Sequence, residues 1–538
     1  MMASPFLDLP NELAITIIEQ LEDPTALSRL ALTCRRLQIL SEPYLYQAIF
    51  YRSGSDAERI LAAVEACPKR GAAIRSIEAR LSWKGEPEAH RNLAGILERA
   101  PHIRELIIES PYCNNSRWRK LEAARARWGL VMERLFEPMA SAAGLAIDIS
   151  YELSSVPFAP LQELTTLTLH LSGAGREFWN VCGLPACIFA HPTLLNLHIS
   201  SANLIVGATA RIQDTMRTPL ENMTIDECNI TVEALNGILA LPHGLKHLYL
   251  GETPLRGPLE IFANAITGEN HYSPGEERYP PDQVYNDLSR RDPEPFLQAL
   301  AQQQHSLQTF AYDPKAYAIN GPLAPPHPET VGPGFSEFTR LHEVKIISPS
   351  YFLTSLFTSD RTSPPKLTEL SIGGIESQEQ LFGQRATETA STADDRNVSA
   401  LFRNIVSAAP KLEELHFTFD AVVRSPNDDV QGHIAATGDY LKKRNIELQL
   451  FQDPNIRHCV RPILYGEVDE PAELIYANDG KGFLRRRQPP VSELSRSQAT
   501  EYAMELQDMS ESDWEDTEPD RSDSDEEAID DVMDGFQE

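Results

Sequence analysis

Residues 220–230 read Leu220-Glu-Asn-Met223-Thr-Ile225-Asp-Glu-Cys228-Asn-Ile230, with apolar side chains at the first, fourth and sixth places and a cysteine and an isoleucine beyond them. Alternation through Met223, Thr224 and Ile225 predicts a strand that buries one face and leaves the other to solvent. The spacing recurs outward in both directions. Toward the N-terminus stand Leu194-Leu-Asn-Leu197-His-Ile199, Leu164-Thr-Thr-Leu167-Thr-Leu169 and Pro101-His-Ile103-Arg-Glu-Leu106-Ile-Ile108. Toward the C-terminus follow Leu245-Lys-His-Leu248-Tyr-Leu250, Leu307-Gln-Thr-Phe310-Ala-Tyr312, Leu341-His-Glu-Val344-Lys-Ile346, Leu367-Thr-Glu-Leu370-Ser-Ile372 and Leu412-Glu-Glu-Leu415-His-Phe417.

This pattern resembles the leucine-rich repeat. Starts at 164, 194, 220 and 245 are 30, 26 and 25 residues apart, whereas the steps 103 to 164 and 245 to 307 are 61 and 62 and read as two repeats each. Helical periodicity predicts returns over Val232–Leu241, Pro295–Gln303 and Leu401–Ala409. One unit alone cannot bury both its strand and its helix, so neighbours must stack into an α/β solenoid. The longer form of the repeat assigns Cys228 a structural place after the strand. Alternation then turns Asn196, His198, Ser200, Asn222, Thr224, Asp226, His247, Tyr249, Glu343, Lys345, Glu369, Ser371, Glu414 and His416 to the concave side, a polar surface with aromatics that suits a protein substrate.

The N-terminus carries a second pattern: Phe6-Leu-Asp-Leu-Pro10-Asn-Glu-Leu13, Ile17, Leu21, Asp23-Pro24, Leu27, Leu30, Leu32, Cys34-Arg-Arg-Leu37 and Pro43-Tyr-Leu45-Tyr46. Proline at a first helical position loses nothing by lacking an N–H, so helix one starts near Pro10. Asp23-Pro24 repeats the signal, and Leu27, Leu30, Cys34 and Leu37 fall on one face of a second helix. The stripe Leu13, Ile17, Leu21 serves either a partner or a core. The segment resembles an F-box, a three-helix module over residues 4–50. The resemblance implies that Leu9, Pro10, Leu13, Ile17, Leu21, Leu27 and Leu30 hold a Skp adaptor and through it a cullin–RING ubiquitin ligase. Repeats over 55–476 would then present the substrate, and the chain itself would not be an enzyme. A non-ligase interaction scaffold is the other reading.

Composition agrees with a receptor. The 538 residues are 42% apolar, enough for a large core, and their seven cysteines are scattered without a Cys-x-x-Cys pair, as in a reducing compartment. No signal segment or bilayer-length apolar run opens the chain, so cytosol or nucleus is expected, without membrane. Phosphate loops, nucleophile elbows and His-Glu-x-x-His are absent, and no cofactor is called for. Cys182, Cys187 and His191 lack a fourth ligand for zinc. Long loops are expected over 256–295, 313–335 and 376–397, from stretches such as Tyr279-Pro-Pro-Asp and Gly332-Pro-Gly.

Net charge is −30, of which residues 498–538 hold −16, with 17 acids against Arg521. Residues 477–538 therefore read as a disordered acidic tail, with Arg485-Arg-Arg487 a solvated linker, and the overall sign opposes nucleic-acid binding. Ser510, Ser512, Ser522 and Ser524 each precede an acid by three places, resembling sites of an acidophilic kinase. Phosphate-affinity electrophoresis of protein from cells is expected to give retarded bands that disappear when all four serines are alanine; a single unshifted band would refute the assignment.

Overall fold

The computed structural model describes residues 9–21, 23–80, 88–109, 161–170, 179–181, 184–204, 217–252, 288–314, 332–347, 350–375, 381–382, 398–419, 428–453, 472–480 and 482–483. One compact unit spans Met1–Leu484; the second, Arg485–Glu538, lies outside the described residues. The tail expected from residue 477 starts too early, because Ala477 closes one strand and Gly482–Phe483 form another that pairs with it, and the expectations from Arg485 onward lie outside the described residues.

Three short helices open the chain: α1 (Asn11–Ile18), α2 (Pro24–Ala31) and α3 (Arg35–Leu45). Asp23 caps α2 as expected, its carboxylate accepting from the Thr25 and Ala26 amides at 2.9 and 3.2 Å. Two details differ from the sequence reading. Pro10 sits one place earlier than the first helical position, with ψ 152° at the N-cap. Cys34 does not share a helical face with Leu27 and Leu30, because the chain breaks at 32–34 and Cys34, with φ −159°, leads into α3.

A parallel sheet follows. Its strands, among the described residues, are β1 (Ala48–Tyr51), β2 (Ser76–Arg80), β3 (Glu105–Glu109), β4 (Thr166–His170), β5 (Trp179–Asn180), β6 (Asn196–Ser200), β7 (Ala202–Leu204), β8 (Asn222–Ile230), β9 (His247–Glu252), β10 (Thr309–Asp313), β11 (Glu343–Ile346), β12 (Glu369–Ile375), β13 (Glu414–Phe419), β14 (Glu447–Gln452), β15 (Glu473–Ala477) and β16 (Gly482–Phe483). They pair in chain order, parallel from β1 to β14, with β5 and β7 forming a short side ribbon on the end of β8. β14, β15 and β16 are antiparallel.

The register of the parallel strands is uniform at the strand starts, with shifts only farther along, after Ile225 and after Ile372. Thr166 pairs with Asn196, Asn196 with Asn222, Asn222 with His247 and His247 with Thr309, and the row continues through Glu343, Glu369, Glu414 and Glu447. A second bond pattern holds the start of each strand. The Arg104 carbonyl accepts from both Thr165 and Thr166 amides at 2.9 Å, the Leu195 carbonyl from Glu221 and Asn222, and the His342 carbonyl from Thr368 and Glu369. In these repeats one carbonyl satisfies two amides of the next, which pairs the donors at the strand starts.

The first, fourth and sixth places of every motif are buried, from Leu164, Leu167 and Leu169 to Leu412, Leu415 and Phe417. Helices cover that face: Val232–Leu239, Pro293–Ala301 and Ala400–Ala408 lie within two residues of the predicted returns and add Leu235, Phe296 and Phe402 to one continuous core. In the middle repeats aromatics replace leucine, Phe335 lying 5.9 Å from Phe310 and 5.6 Å from Phe357. Cys228 is fully buried, its sulfur 3.0 Å from the Asp226 carbonyl, in keeping with a structural place.

The two long steps do not hold two repeats. β3 bonds β4 directly, and β9 bonds β10 directly. Main-chain pairing on both edges leaves no slot for an intervening strand in this sheet, so each step is one repeat with an insertion. The expected loop at 256–295 also ends early, since helical residues begin at Leu288.

Leu370 is fully buried in β12. Leu370→Ala is expected to cost roughly 2–5 kcal/mol, read as a lower urea midpoint, whereas Ser371→Ala beside it, on the opposite side of the strand, should stay within about 0.5 kcal/mol.

Candidate functional sites

Alternation puts the helices on one side of the sheet and a polar open face on the other. All the substrate-face candidates are on this face, but they do not form one surface chemistry. The first zone is mainly amides and hydroxyls, with Asp226 among them. Asn222 Nδ2 donates to Asn196 Oδ1 at 2.5 Å and Asn196 Nδ2 to Thr166 Oγ1 at 3.0 Å, an amide ladder across three strands. His247 Nδ1 is 2.8 Å from Thr309 Oγ1, and the Tyr249 hydroxyl donates to Asp226 at 3.4 Å.

The second zone is acidic. Glu343, Glu369, Glu414 and Glu447 occupy the same place in four adjacent strands. Lys345 sits 2.5 Å from Glu343 and 3.6 Å from Glu369, and His416 is 3.7 Å from Glu369 and 3.3 Å from Glu414. Partial burial lowers the Lys345 pKa, but the hydrogen bond and charge of Glu343, with Glu369, outweigh it and leave the ammonium more firmly protonated than usual.

Several face residues were not singled out by the sequence reading although the same rule reaches them. His170, Thr166 and Thr168 are the seventh, third and fifth places of the motif at Leu164, Thr309 is the third place of the motif at Leu307, and Gln449 is the register partner of His416. His170 is buried and hydrogen-bonds Ser200 Oγ through Nδ1. Burial lowers its pKa to about 4, with His198 adding repulsion against the attraction of Asp226; burial lowers His198 as well. Among the described residues no group of three or more His, Cys, Asp or Glu is arranged to hold a metal ion, and no helix is long and apolar enough to cross a membrane. Cys187 and His191 are both buried, and burial raises the Cys187 thiol; Cys182 lies outside the described residues.

The helical segment is the second site. α1 carries two stripes. Ala14 and Ile18 are fully buried and make the core, whereas Leu13 is 53% and Ile17 43% exposed one turn apart. The predicted adaptor residues therefore divide: Pro10, Leu13 and Ile17 face outward, Leu9, Leu21 and Leu30 are half-buried, and Leu27 is buried. Leu21 and Leu27 line a cleft of about 410 Å³ with Tyr44 and the starts of β1 to β3. Of the seven large apolar side chains exposed among the described residues, five are Leu13, Ile17, Leu32, Ile39 and Phe50, so exposed apolar surface concentrates in this segment.

Its frame is fixed by polar contacts. Arg36 donates to the Leu9 carbonyl and to Asn11 Oδ1, at 2.9 Å to the latter, and Tyr44 donates to Glu19 at 2.8 Å. Arg70, on α5 (Pro68–Ala73, following α4, Gly54–Ala66), donates to Glu42 of α3 at 2.6 and 2.8 Å, and that hydrogen bond raises the guanidinium pKa further. The Gln47 carbonyl at the end of the helices accepts from the Arg75 and Ser76 amides at 2.8 and 3.1 Å. The helical segment and the sheet are thus one continuous structure.

Residues 6–52 match the F-box-like family model. The N-terminal segment is F-box-like. The match takes in α1 to α3, their exposed leucines and β1. No curated protein matches the chain. Among solved structures, the chain shows a likeness to the crystal structure of the Rad7 and Elc1 complex in yeast, at 12% identity over 77% of this chain and 90% of that chain, with a TM-score of 0.27.

The open face carries a pH dependence of stability. An unfolded histidine takes a proton near pH 6.5, before folded His170 does, so the unfolded state binds more protons as pH falls. The stabilising contribution is whole above about pH 6.5 and is lost progressively toward pH 4. Urea midpoints are expected to decline across that window, and His170→Asn to flatten the decline; an unchanged slope in the variant would contradict it.

Proposed function

We propose that the chain is a substrate-recognition subunit of a Skp–cullin–F-box ubiquitin ligase, built as an F-box followed by a leucine-rich-repeat solenoid and working in cytosol or nucleus. The observation that carries the reading is the outward pair Leu13 and Ile17 inside the F-box-like segment. Ala14 and Ile18 already supply the core of that helix, so the outward pair has no partner to bury it within the helix packing. A Skp adaptor covering Leu13 and Ile17, with Pro10 and the cleft at Leu21, would remove that apolar area from water.

The repeats would supply the other half. Their open face offers amides, histidines, tyrosine and carboxylates on a rigid parallel sheet, where successive strands place one side chain each in a fixed row. The Arg70–Glu42 ion pair and the Gln47 carbonyl join the F-box to the first repeat, so a substrate held on the face keeps a set distance from the adaptor. The chain then contributes proximity alone: it raises the local concentration of a target lysine beside a charged ubiquitin carrier.

Co-purification with the Skp adaptor tests this. Leu13→Ala with Ile17→Ala is expected to weaken the complex roughly thirtyfold or more while circular dichroism and unfolding midpoint stay near wild type, since neither side chain is buried. A wild-type chain that does not bind the adaptor would overturn the reading. An adaptor complex that never contains a cullin would leave a scaffold outside any ligase.

A further inference from the structure

The starting rim of the sheet carries the opposite charge from the acidic zone beside it. The residue immediately before the motif is Arg340, Lys366 and Lys411 in three successive repeats, those of β11, β12 and β13. All three side chains are exposed. Among the described residues, the ion pairs of these repeats join Lys345 and His416 to Glu343, Glu369 and Glu414 on the open face, and none includes the three rim cations. Together with Gln308, His342 and Thr368 the cations line a groove of about 510 Å³ that has no carboxylate in its wall.

Four backbone amides beside the groove are already paired. Thr368 and Glu369 N–H groups both go to the His342 carbonyl at 2.8 and 2.9 Å, and the His342 and Glu343 amides to Gln308 at 3.0 and 3.3 Å. The Thr368 hydroxyl also donates to the His342 carbonyl at 3.0 Å. Recognition in the groove falls to the cationic side chains, with the Gln308 amide and the His342 ring beside them. In a chain whose net charge is −30, three neighbouring cations without acids in their groove are a local inversion of sign.

We infer that this groove binds a short acidic stretch of a protein partner, its carboxylate or phosphate oxygens set against Arg340, Lys366 and Lys411. Adjacent strands are about 4.8 Å apart, so the three cations span roughly 10 Å, the length of about three residues of extended peptide. A long polyanion such as a nucleic acid is disfavoured. It would run against Glu343, Glu369, Glu414 and Glu447 on the adjoining face and Glu413 on the rim, whereas a short segment stays within the groove. The inference rests on the reading of the repeat domain as the part that recognises a protein, and names the chemistry of what it takes.

Fluorescence anisotropy on the full chain tests it, with a labelled peptide of alternating Asp and Gly, its phosphoserine counterpart, its Asn counterpart and an oligothymidylate. The Asp or phosphoserine peptide is expected to bind at least about tenfold more tightly than the Asn peptide, with affinity falling as salt rises. Arg340→Glu, Lys366→Glu and Lys411→Glu together should abolish that preference while leaving the unfolding midpoint and Skp-adaptor co-purification unchanged. A preference for phosphoserine over Asp assigns the groove to phosphate, and equal binding assigns it to negative charge in general; both support the inference. Acidic peptides bound no better than Asn, an unaffected triple variant, or oligothymidylate bound more tightly than either acidic peptide would overturn it. Loss of adaptor binding by wild type alone would sink the ligase reading and leave the groove standing.

Discussion

The carbonyl at the start of each strand, shared by two amides of the next repeat, is the constraint from which the architecture follows. Gln47, Arg75, Arg104, Thr165, Leu195, Glu221, Lys246, Gln308, His342 and Thr368 all accept in this way. A one-residue slip in any repeat would break both bonds and turn its leucines toward water, so the two requirements reinforce each other. Register conserved over so many strands is what makes rows of side chains: amides on one stretch of the open face, carboxylates on another, cations along the rim.

The helical segment is tied into the same system. Gln47 is its last link to the sheet and the first of the shared carbonyls, and Arg70 clamps Glu42 on α3 from the helix that precedes β2. Holding Arg70 and Glu42, each only about a quarter exposed, in a charge-assisted pair joins two elements more firmly than a fully solvated pair does.

Much of this was legible because the motif is written in large apolar residues at fixed spacing. Leu167, Leu197, Met223 and Leu248 announce both the strand and its buried side. Elsewhere the signal was weaker or lay outside the motif. Ile74-Arg-Ser-Ile77-Glu-Ala79 has the same spacing, yet alanine at the sixth place hides β2 from a pattern built on leucine. The 61- and 62-residue steps were divided by length, and only strand pairing shows that each is one repeat. On α1, Leu13 and Ile18 are equally apolar, and sequence cannot say which of two adjacent stripes meets the core until α3 is in place. Arg340, Lys366 and Lys411 precede the motif, where the alternation rule says nothing, and only parallel stacking brings them side by side.

The antiparallel turn-back at the end of the sheet has a consequence for how the molecule meets its own copies. A parallel stack ending at β14 would present a full-length edge of unpaired amides and carbonyls, a template for the first strand of another chain. β15 covers that edge, and Asn478 completes it, accepting from the Leu448 amide at 2.9 Å and donating to the Ile446 and Gly438 carbonyls at 3.0 Å. Beyond it stands β16, only two residues long. Among the described residues the sheet thus tapers at this end to a two-residue strand, a short template for strand exchange, through a reversal of backbone direction that the Asn478 side chain secures.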